Sequence, residues 1–180
     1  MAAASVQMIA EAQASGRQVV LAITGGGSGA IADLLRVPGA SRLVLEAVVP
    51  YEARALAEFL GSAPAQACSG ETARAMAVRA RVRAATIAHR GALPLGLGAT
   101  ASLASDRPKQ GDHRCHIAIS SVGDLALTSI VLAKGRRDRP AEEDLVARAI
   151  VLCLLRRCGV TAPSPETLVD DGDSLSEELA

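Results

Sequence analysis

Short apolar runs alternate with amphipathic stretches along this 180-residue chain, and glycine or proline separates most of them. The runs QVVLAI (18–23), RLVLEAVV (42–49) and LPLGLGAT (93–100) have the composition of strands that are buried on both faces. In the third run, Gly96 and Gly98 indicate a close approach of another backbone. These runs predict three strands in the interior of a sheet.

Two later runs are typical of a hairpin. HRCHIAISS (113–121) and LALTSIVLAK (125–134) are separated by only three residues, VGD, a spacing that predicts an antiparallel pair. Apolar residues recur at helical spacing in five other stretches, which are 4–15, 29–37, 51–61, 69–90 and 140–158. Strands that alternate with helices and end in a hairpin predict an α/β fold, a three-layer α/β/α sandwich with a mixed, mainly parallel sheet and a β-hairpin in the C-terminal half.

Acidic residues are concentrated at the C-terminal end of the chain. Residues 161–180 contain six acidic residues, no basic one, and two prolines. A short polar segment with this composition cannot bury enough apolar surface to order itself. The sequence therefore predicts one α/β domain over 1–160 and a disordered acidic tail over 161–180.

The remaining 160 residues hold 19 basic and 13 acidic side chains, and the whole chain has one Phe, one Tyr and no Trp. A basic body without interleaved aromatic side chains favours a phosphorylated small molecule over nucleic acid as the partner. The four cysteines have no C-x-x-C spacing, so we expect reduced thiols, no metal and no cofactor. The chain shows neither a signal-peptide pattern nor an apolar stretch long enough for a bilayer, and we expect a cytoplasmic protein without membrane contact.

The segment LAITGGGSGA (21–30) places a glycine-rich loop between a predicted strand and a predicted helix. Backbone N–H groups and the helix dipole converge at such a loop, so it can hold an anion. The candidate ligand-binding residues are Thr24, Gly25, Gly26, Gly27 and Ser28. The alternative is that the glycines serve only the geometry of a tight turn.

Ser28 has several possible roles at the start of that helix. Its hydroxyl can cap the helix or hold a phosphate oxygen. As a catalytic nucleophile it would need a base, and His113 and His116 are the candidates. These two histidines face opposite sides of one predicted strand, so at most one can serve a given pocket. A structural role for either histidine is the alternative.

The glycine loop also looks like the opening of a short-chain dehydrogenase, but Ile31 stands at the last glycine of that motif and Tyr-x-x-x-Lys has no counterpart. A second resemblance extends over residues 5–158. The succession TGG, VPGAS (37–41), VVPYEARALAEFLG (48–61) and SGETARAMA (69–77) is similar to the C-terminal-type domain of the CinA family. GGGS, VPGAS, VVPY and SLASDRPKQGDHR look closest to the CinA-like subgroup that in plants is fused to a nucleotidylyltransferase-type domain.

The resemblance implies an activity, although two of its residues are replaced. The CinA-family domain hydrolyses the carboxamide of nicotinamide mononucleotide. Aligning the Thr-Gly-Gly turns places Ala22 where the family has its nucleophilic serine, and aligning the tyrosines places Leu56 where it has a lysine. Tyr51 and Thr100 match family positions. Tyr51 is therefore a catalytic candidate beside Ser28, and Thr100 a ligand-binding one, while packing with a satisfied hydroxyl is the alternative for Tyr51.

The polar loop SDRPKQGDHR (105–114) supplies the remaining candidates. Arg107, Lys109 and Arg114 can clamp a phosphate, and Asp106 can orient these cations or bind a ribose hydroxyl, while a solvated loop is the alternative. We expect the glycine loop and this loop to form a pocket for a pyridine mononucleotide or a related phosphorylated nucleotide. The alternatives are an amidohydrolase with a different nucleophile and a non-catalytic interaction module. The resemblance also implies a homodimer.

Overall fold

A computed structural model describes residues 5–107 and 110–179. Its described strands form one six-stranded sheet in the order β2-β1-β3-β4-β5-β6. The strands are β1 (Arg17–Thr24), β2 (Val44–Val48), β3 (Leu93–Ser102), β4 (His113–Ser121), β5 (Asp124–Leu132) and β6 (Ser174–Leu179). The helices are α1 (Val6–Gln13), α2 (Gly29–Leu35), α3 (Ala53–Leu60), α4 (Gly70–Ile87) and α5 (Arg139–Arg157), with short 3-10 turns at Ala40–Arg42 and Pro165–Leu168.

The sheet is mixed, as the sequence predicts. β1 pairs in parallel with β2 and β3, whereas β3-β4, β4-β5 and β5-β6 are antiparallel. The β4-β5 hairpin turns through Gly123, whose φ of 76° suits a tight turn. The parallel part is therefore confined to the first three strands, and the C-terminal half is antiparallel.

Helices cover both faces of the sheet, which makes the three layers. On one face, α1, α2 and α5 bury a continuous aliphatic core against residues such as Leu21, Leu97 and Ile117. On the other face, α4 lies on β3, β4 and β1, and α3 lies beside it. A Cβ atom at Gly98 would clash with the backbone of Ala73 and Ala77. The close approach of another backbone, which Gly96 and Gly98 predict for β3, is therefore the contact of this strand with α4.

The C-terminal segment differs from the predicted disordered tail, because residues 165–179 are ordered against the domain. The turn Pro165–Leu168 packs on α5, and β6 extends the sheet beside β5. The side chain of Asp173 is 0% exposed, and its carboxylate accepts hydrogen bonds from the Arg137 guanidinium at 3.1 and 2.7 Å and from Ala133 N at 2.8 Å. Basic side chains of the body pair with the acidic segment, and Leu168, Val169 and Leu175 pack against the aliphatic core, so ion pairs and apolar contacts together order it.

None of the described helices combines the length and the apolar character needed to span a bilayer.

Candidate functional site

An open cavity of about 350 Å³ lies at the carboxyl ends of β1 and β2. Ligands of open α/β sheets bind in this position, where neighbouring strands send their connections to opposite faces. Here β1 continues into α2 on one face, and β2 continues into α3 on the other. The cavity is lined by Ile23, Thr24, Gly25, Gly26, Ser28, Val49, Tyr51, Arg139, Pro140 and Glu143.

The glycine loop is a tight turn packed against its neighbours. Gly25 and Gly27 have φ values of 76° and 87°, which L-residues rarely adopt. A Cβ atom at Gly25 would clash with the carbonyl of Ala101, and one at Gly27 would clash with Ile150 on α5. The glycines therefore bring the loop close to β3 and α5, and Gly27 faces α5 rather than the cavity.

Ser28 is held by a carboxylate from the other half of the chain. Glu143 Oε1 accepts from Ser28 N at 2.8 Å and from Ser28 Oγ at 3.0 Å. The Ser28 side chain makes no capping hydrogen bond to α2, contrary to the capping role that its position suggests. The carboxylate of Glu143 therefore occupies the hydrogen-bond donors of this part of the loop and places a negative charge there.

Among the described lining residues Arg139 is the one cation of the cavity, and its place there could not be inferred from the sequence. Its guanidinium donates to Gly25 O at 3.0 Å and to Ala104 O at 3.3 Å, and lies 3.6 Å from Glu143 Oε2. Its side chain remains 38% exposed. The first turn of α5 thus joins the glycine loop to the β3-β4 connection. The only sequence signal for this role was an arginine immediately before the proline that starts a long helix.

Tyr51 projects from the end of β2 and is 64% exposed, so its ring does not fill the core. Thr24 Oγ1 donates to Pro50 O at 3.0 Å and fixes the segment that carries Tyr51 beside the end of β1. The structure therefore brings Thr24, Gly25, Gly26, Ser28 and Tyr51 to one cavity, whose lining does not include Gly27. The Thr24 hydroxyl is engaged with the backbone in this arrangement.

Ala22 and Leu56 lie below the cavity, on the face of the sheet that α3 and α4 cover. They are 0% and 2% exposed and pack with Met76 in an apolar cluster. Thr100, on the neighbouring strand, is 1% exposed, and its hydroxyl donates to Ala67 O at 2.7 Å. Thr100 thus holds the 66–69 segment in place through a buried hydrogen bond, and it does not line the cavity.

The 105–114 loop supplies none of the described lining residues of the cavity. Asp106 and Arg107 are exposed, and Lys109 lies outside the described residues. Arg114 points to the α4 face, where its Nη2 donates to Cys68 O at 3.3 Å. Among the described residues, this loop does not form a pocket with the glycine loop as predicted; Ala104, just before it, is linked to Gly25 through Arg139.

Neither candidate histidine lines the cavity. His113 is buried, and its Nδ1 lies 2.7 Å from Oε1 of the fully buried Glu142, whose Oε2 accepts from Ala104 N at 2.6 Å. His116, on the opposite face, lies 2.8 Å from Ser129 Oγ through Nδ1. The group beside Ser28 is the Glu143 carboxylate, which the sequence showed only as one of several acidic residues at a helix start.

The fold is that of CinA-superfamily proteins. The chain is similar in structure to the competence or damage-inducible protein from Enterobacter asburiae, with a TM-score of 0.67 and 14% identity over 86% of this chain and 96% of that one. It is also similar to the competence/damage inducible protein CihA from Agrobacterium tumefaciens, with a TM-score of 0.68 and 19% identity over 83% and 90% of the two chains. A CinA superfamily protein from Klebsiella pneumoniae has a TM-score of 0.68 and 16% identity over 86% and 95%. No protein-family profile and no curated protein matches the sequence.

Proposed function

We propose that this chain is a CinA-like domain that binds a phosphorylated nucleotide, with a pyridine mononucleotide as the leading ligand, in the cavity beside the glycine loop. The observation that carries the proposal is the pairing of an exposed aromatic ring, Tyr51, with a half-exposed guanidinium, Arg139, in one cavity at the carboxyl ends of β1 and β2. This position is the usual ligand site of such sheets.

The two side chains suit the two ends of a mononucleotide. Tyr51 offers a π face on which a flat ring can stack, and a pyridinium ring adds attraction to that face. Arg139 offers N–H donors in the planar geometry that recognises phosphate. A cavity of about 350 Å³ is within the size range of small-ligand sites.

We further propose that the domain lacks the amidase chemistry that the resemblance implies. Amide hydrolysis by a covalent mechanism needs a nucleophile and a group that takes its proton. The resemblance places these at Ala22 and Leu56, which cannot supply either function and which are sealed against Met76. Binding without this machinery is therefore the function that the geometry favours.

Hydrolysis with a different nucleophile is the second candidate, and the contact between Ser28 and Glu143 favours it. Ser28 Oγ lies 3.0 Å from a carboxylate oxygen at the edge of the cavity. In this scheme Glu143 accepts the hydroxyl proton while Oγ attacks the amide carbonyl, the proton passes to the departing ammonia, and water then releases the acid. Ammonia release separates this candidate from binding alone.

Thermal-shift assays with nicotinamide mononucleotide, nicotinate mononucleotide and AMP test the proposal, together with an ammonia assay. A ligand at 100 times its Kd stabilises the fold by about 2.7 kcal/mol, which such an assay resolves. We expect a shift with at least one mononucleotide, no ammonia, and loss of the shift in Tyr51→Ala and Arg139→Gln. Arg90→Gln, an exposed change at the other end of β3, is the matched control. No shift with any of the three contradicts binding, and ammonia that depends on Ser28 supports the second candidate.

A further inference from the structure

The sheet face that α4 covers continues beyond the amino end of that helix. α4 begins at Gly70 and rests on Gly98, Ala118 and Leu127. The strand register places two further rows of side chains on the same face, past the helix. These rows are Thr100, His116, Ser129 and Ser176, and then Ser102, Arg114, Val131 and Ser174.

Three basic side chains surround the start of α4 at this place. The Cβ position of Gly70 lies 3.7 Å from Arg74 Nη1 and 3.9 Å from His116 Nδ1. Arg114 shares the strand and the face of His116 and donates to Cys68 O, two residues before Gly70. Arg74, Arg114 and His116 form the group that we call the β4 basic cluster.

Acidic residues balance this cluster only in part, and one of them, Glu71, lies in the first turn of α4. Glu178 pairs with Arg74 from β6, and among the described residues no carboxylate pairs with Arg114. Arg114 Nε is buried and has no hydrogen-bond partner in the described part of the chain, an uncommon state for such a donor. Burial holds the pKa of His116 below its usual value, and the charges of Arg114 and Arg74 lower it further, while Glu178 opposes them.

We propose that the β4 basic cluster is a second site, separate from the cavity at β1 and β2, that binds the phosphate group of a small phosphorylated molecule. Arginine donors match phosphate oxygens, and Arg114 Nε, buried here without an acceptor, gains one if the side chain turns toward a phosphate bound at the cluster. Ser129 lies opposite His116 in the register, with its Oγ 2.8 Å from His116 Nδ1, and Ser176 follows on the next strand. The cavity lies over β1 and β2, whereas this site lies over β4 and β5, so the two sites are independent.

NMR titration of His116 tests the proposal, with inorganic phosphate as the probe and chloride at equal ionic strength as the reference. A bound phosphate favours imidazolium, so we expect phosphate to raise the pKa of His116 and the shift to saturate. Arg114→Gln should weaken phosphate binding at least fivefold, and Arg74→Gln provides a second variant if that one fails to fold. Arg83→Gln, on the same helix but paired with Glu46, is the control.

A His116 pKa that is equal in phosphate and chloride overturns this proposal, as does an unchanged phosphate response in both variants. Tyr51→Ala should leave the response of His116 intact, and Arg114→Gln should leave mononucleotide binding at the cavity intact. The two proposals therefore fail separately.

Discussion

Glu143 accepts two hydrogen bonds from Ser28 through one carboxylate oxygen, at 2.8 Å from the backbone nitrogen and at 3.0 Å from the hydroxyl. The two residues are 115 positions apart in the chain. This contact closes the glycine loop onto the first turn of α5, and it places a negative charge where the loop would otherwise receive an anion. The glycine loop is therefore one wall of the cavity, and the guanidinium of Arg139 supplies the positive charge of the cavity.

Replacing Ser28 by alanine should lower the free energy of unfolding by about 1 kcal/mol, because it removes one hydrogen bond and leaves the bond from the backbone nitrogen. Urea unfolding measures the change. Ser62→Ala, at an exposed serine, is the control and should be neutral. A Ser28→Ala protein as stable as the parent would show that the hydroxyl contact contributes nothing.

Leu56→Ala should lower the free energy of unfolding by about 2–5 kcal/mol, since it opens a cavity between Ala22 and Met76. Leu56→Met conserves most of the volume and should cost less than about 1.5 kcal/mol. Denaturant unfolding of the three proteins measures both effects. If both substitutions lower the free energy of unfolding by the same small amount, the cluster around Leu56 is loosely packed and can accommodate a polar side chain.

Gly98→Ala should be strongly destabilising, because the added methyl group meets the backbone of α4 at Ala73 and Ala77, which cannot yield as a flexible side chain does. Gly111→Ala is the matched control, since a Cβ atom there meets nothing within 4 Å. Thermal melting should separate the two variants clearly. A Gly98→Ala protein with the melting temperature of the control would contradict the close seating of α4 on β3.

Asp173→Asn should release the C-terminal segment from Arg137. Burial acts to raise the pKa of Asp173, but the hydrogen bonds from Arg137 and from the backbone of Ala133 and Asp170 outweigh it, and the pKa is lowered overall. A carboxyl with a lowered folded pKa contributes stability above its unfolded pKa of about 3.9 and loses it as the pH falls through the folded value.

The Asp173→Asn protein should therefore be about 3 kcal/mol less stable than the parent at pH 7, and the difference should shrink below about pH 4. Urea unfolding across this range measures it. Asp171→Asn, where the backbone carbonyl and not the carboxylate accepts from Arg136, is the control. A difference that stays constant from pH 7 to pH 2 would show that the carboxylate charge is not what holds the segment.

The strands β1 to β5 could be predicted to within two residues because their burial leaves an apolar signature in the sequence. β6 could not, because its residues SLSEEL are polar and acidic and it lies at the sheet edge. Its order depends on arginines such as Arg137 and Arg156, which pair with Asp173 and Glu177 only in the folded chain. Composition alone therefore indicated disorder where long-range ion pairs and the packing of Leu168 and Leu175 on the core provide structure.

The sequence predicts the part of the candidate site that follows the ends of strands. It does not predict the part that depends on how the helices pack. The glycine loop and Tyr51 each follow a strand, and parallel neighbours place such residues together. Arg139 and Glu143 reach the same place only because α5 packs beside α2. In the sequence they are two charges among several near a helix start, with no spacing that links them to residue 28.

Calorimetric titration with nicotinamide mononucleotide, of the parent protein and of the Tyr51→Ala and Arg139→Gln variants, measures whether the cavity binds a mononucleotide. We expect saturable binding to the parent, and an affinity at the cavity at least tenfold weaker in each of these two variants, while Arg90→Gln binds as the parent does. Absence of binding to the parent, or binding that both cavity variants retain unchanged, would contradict it.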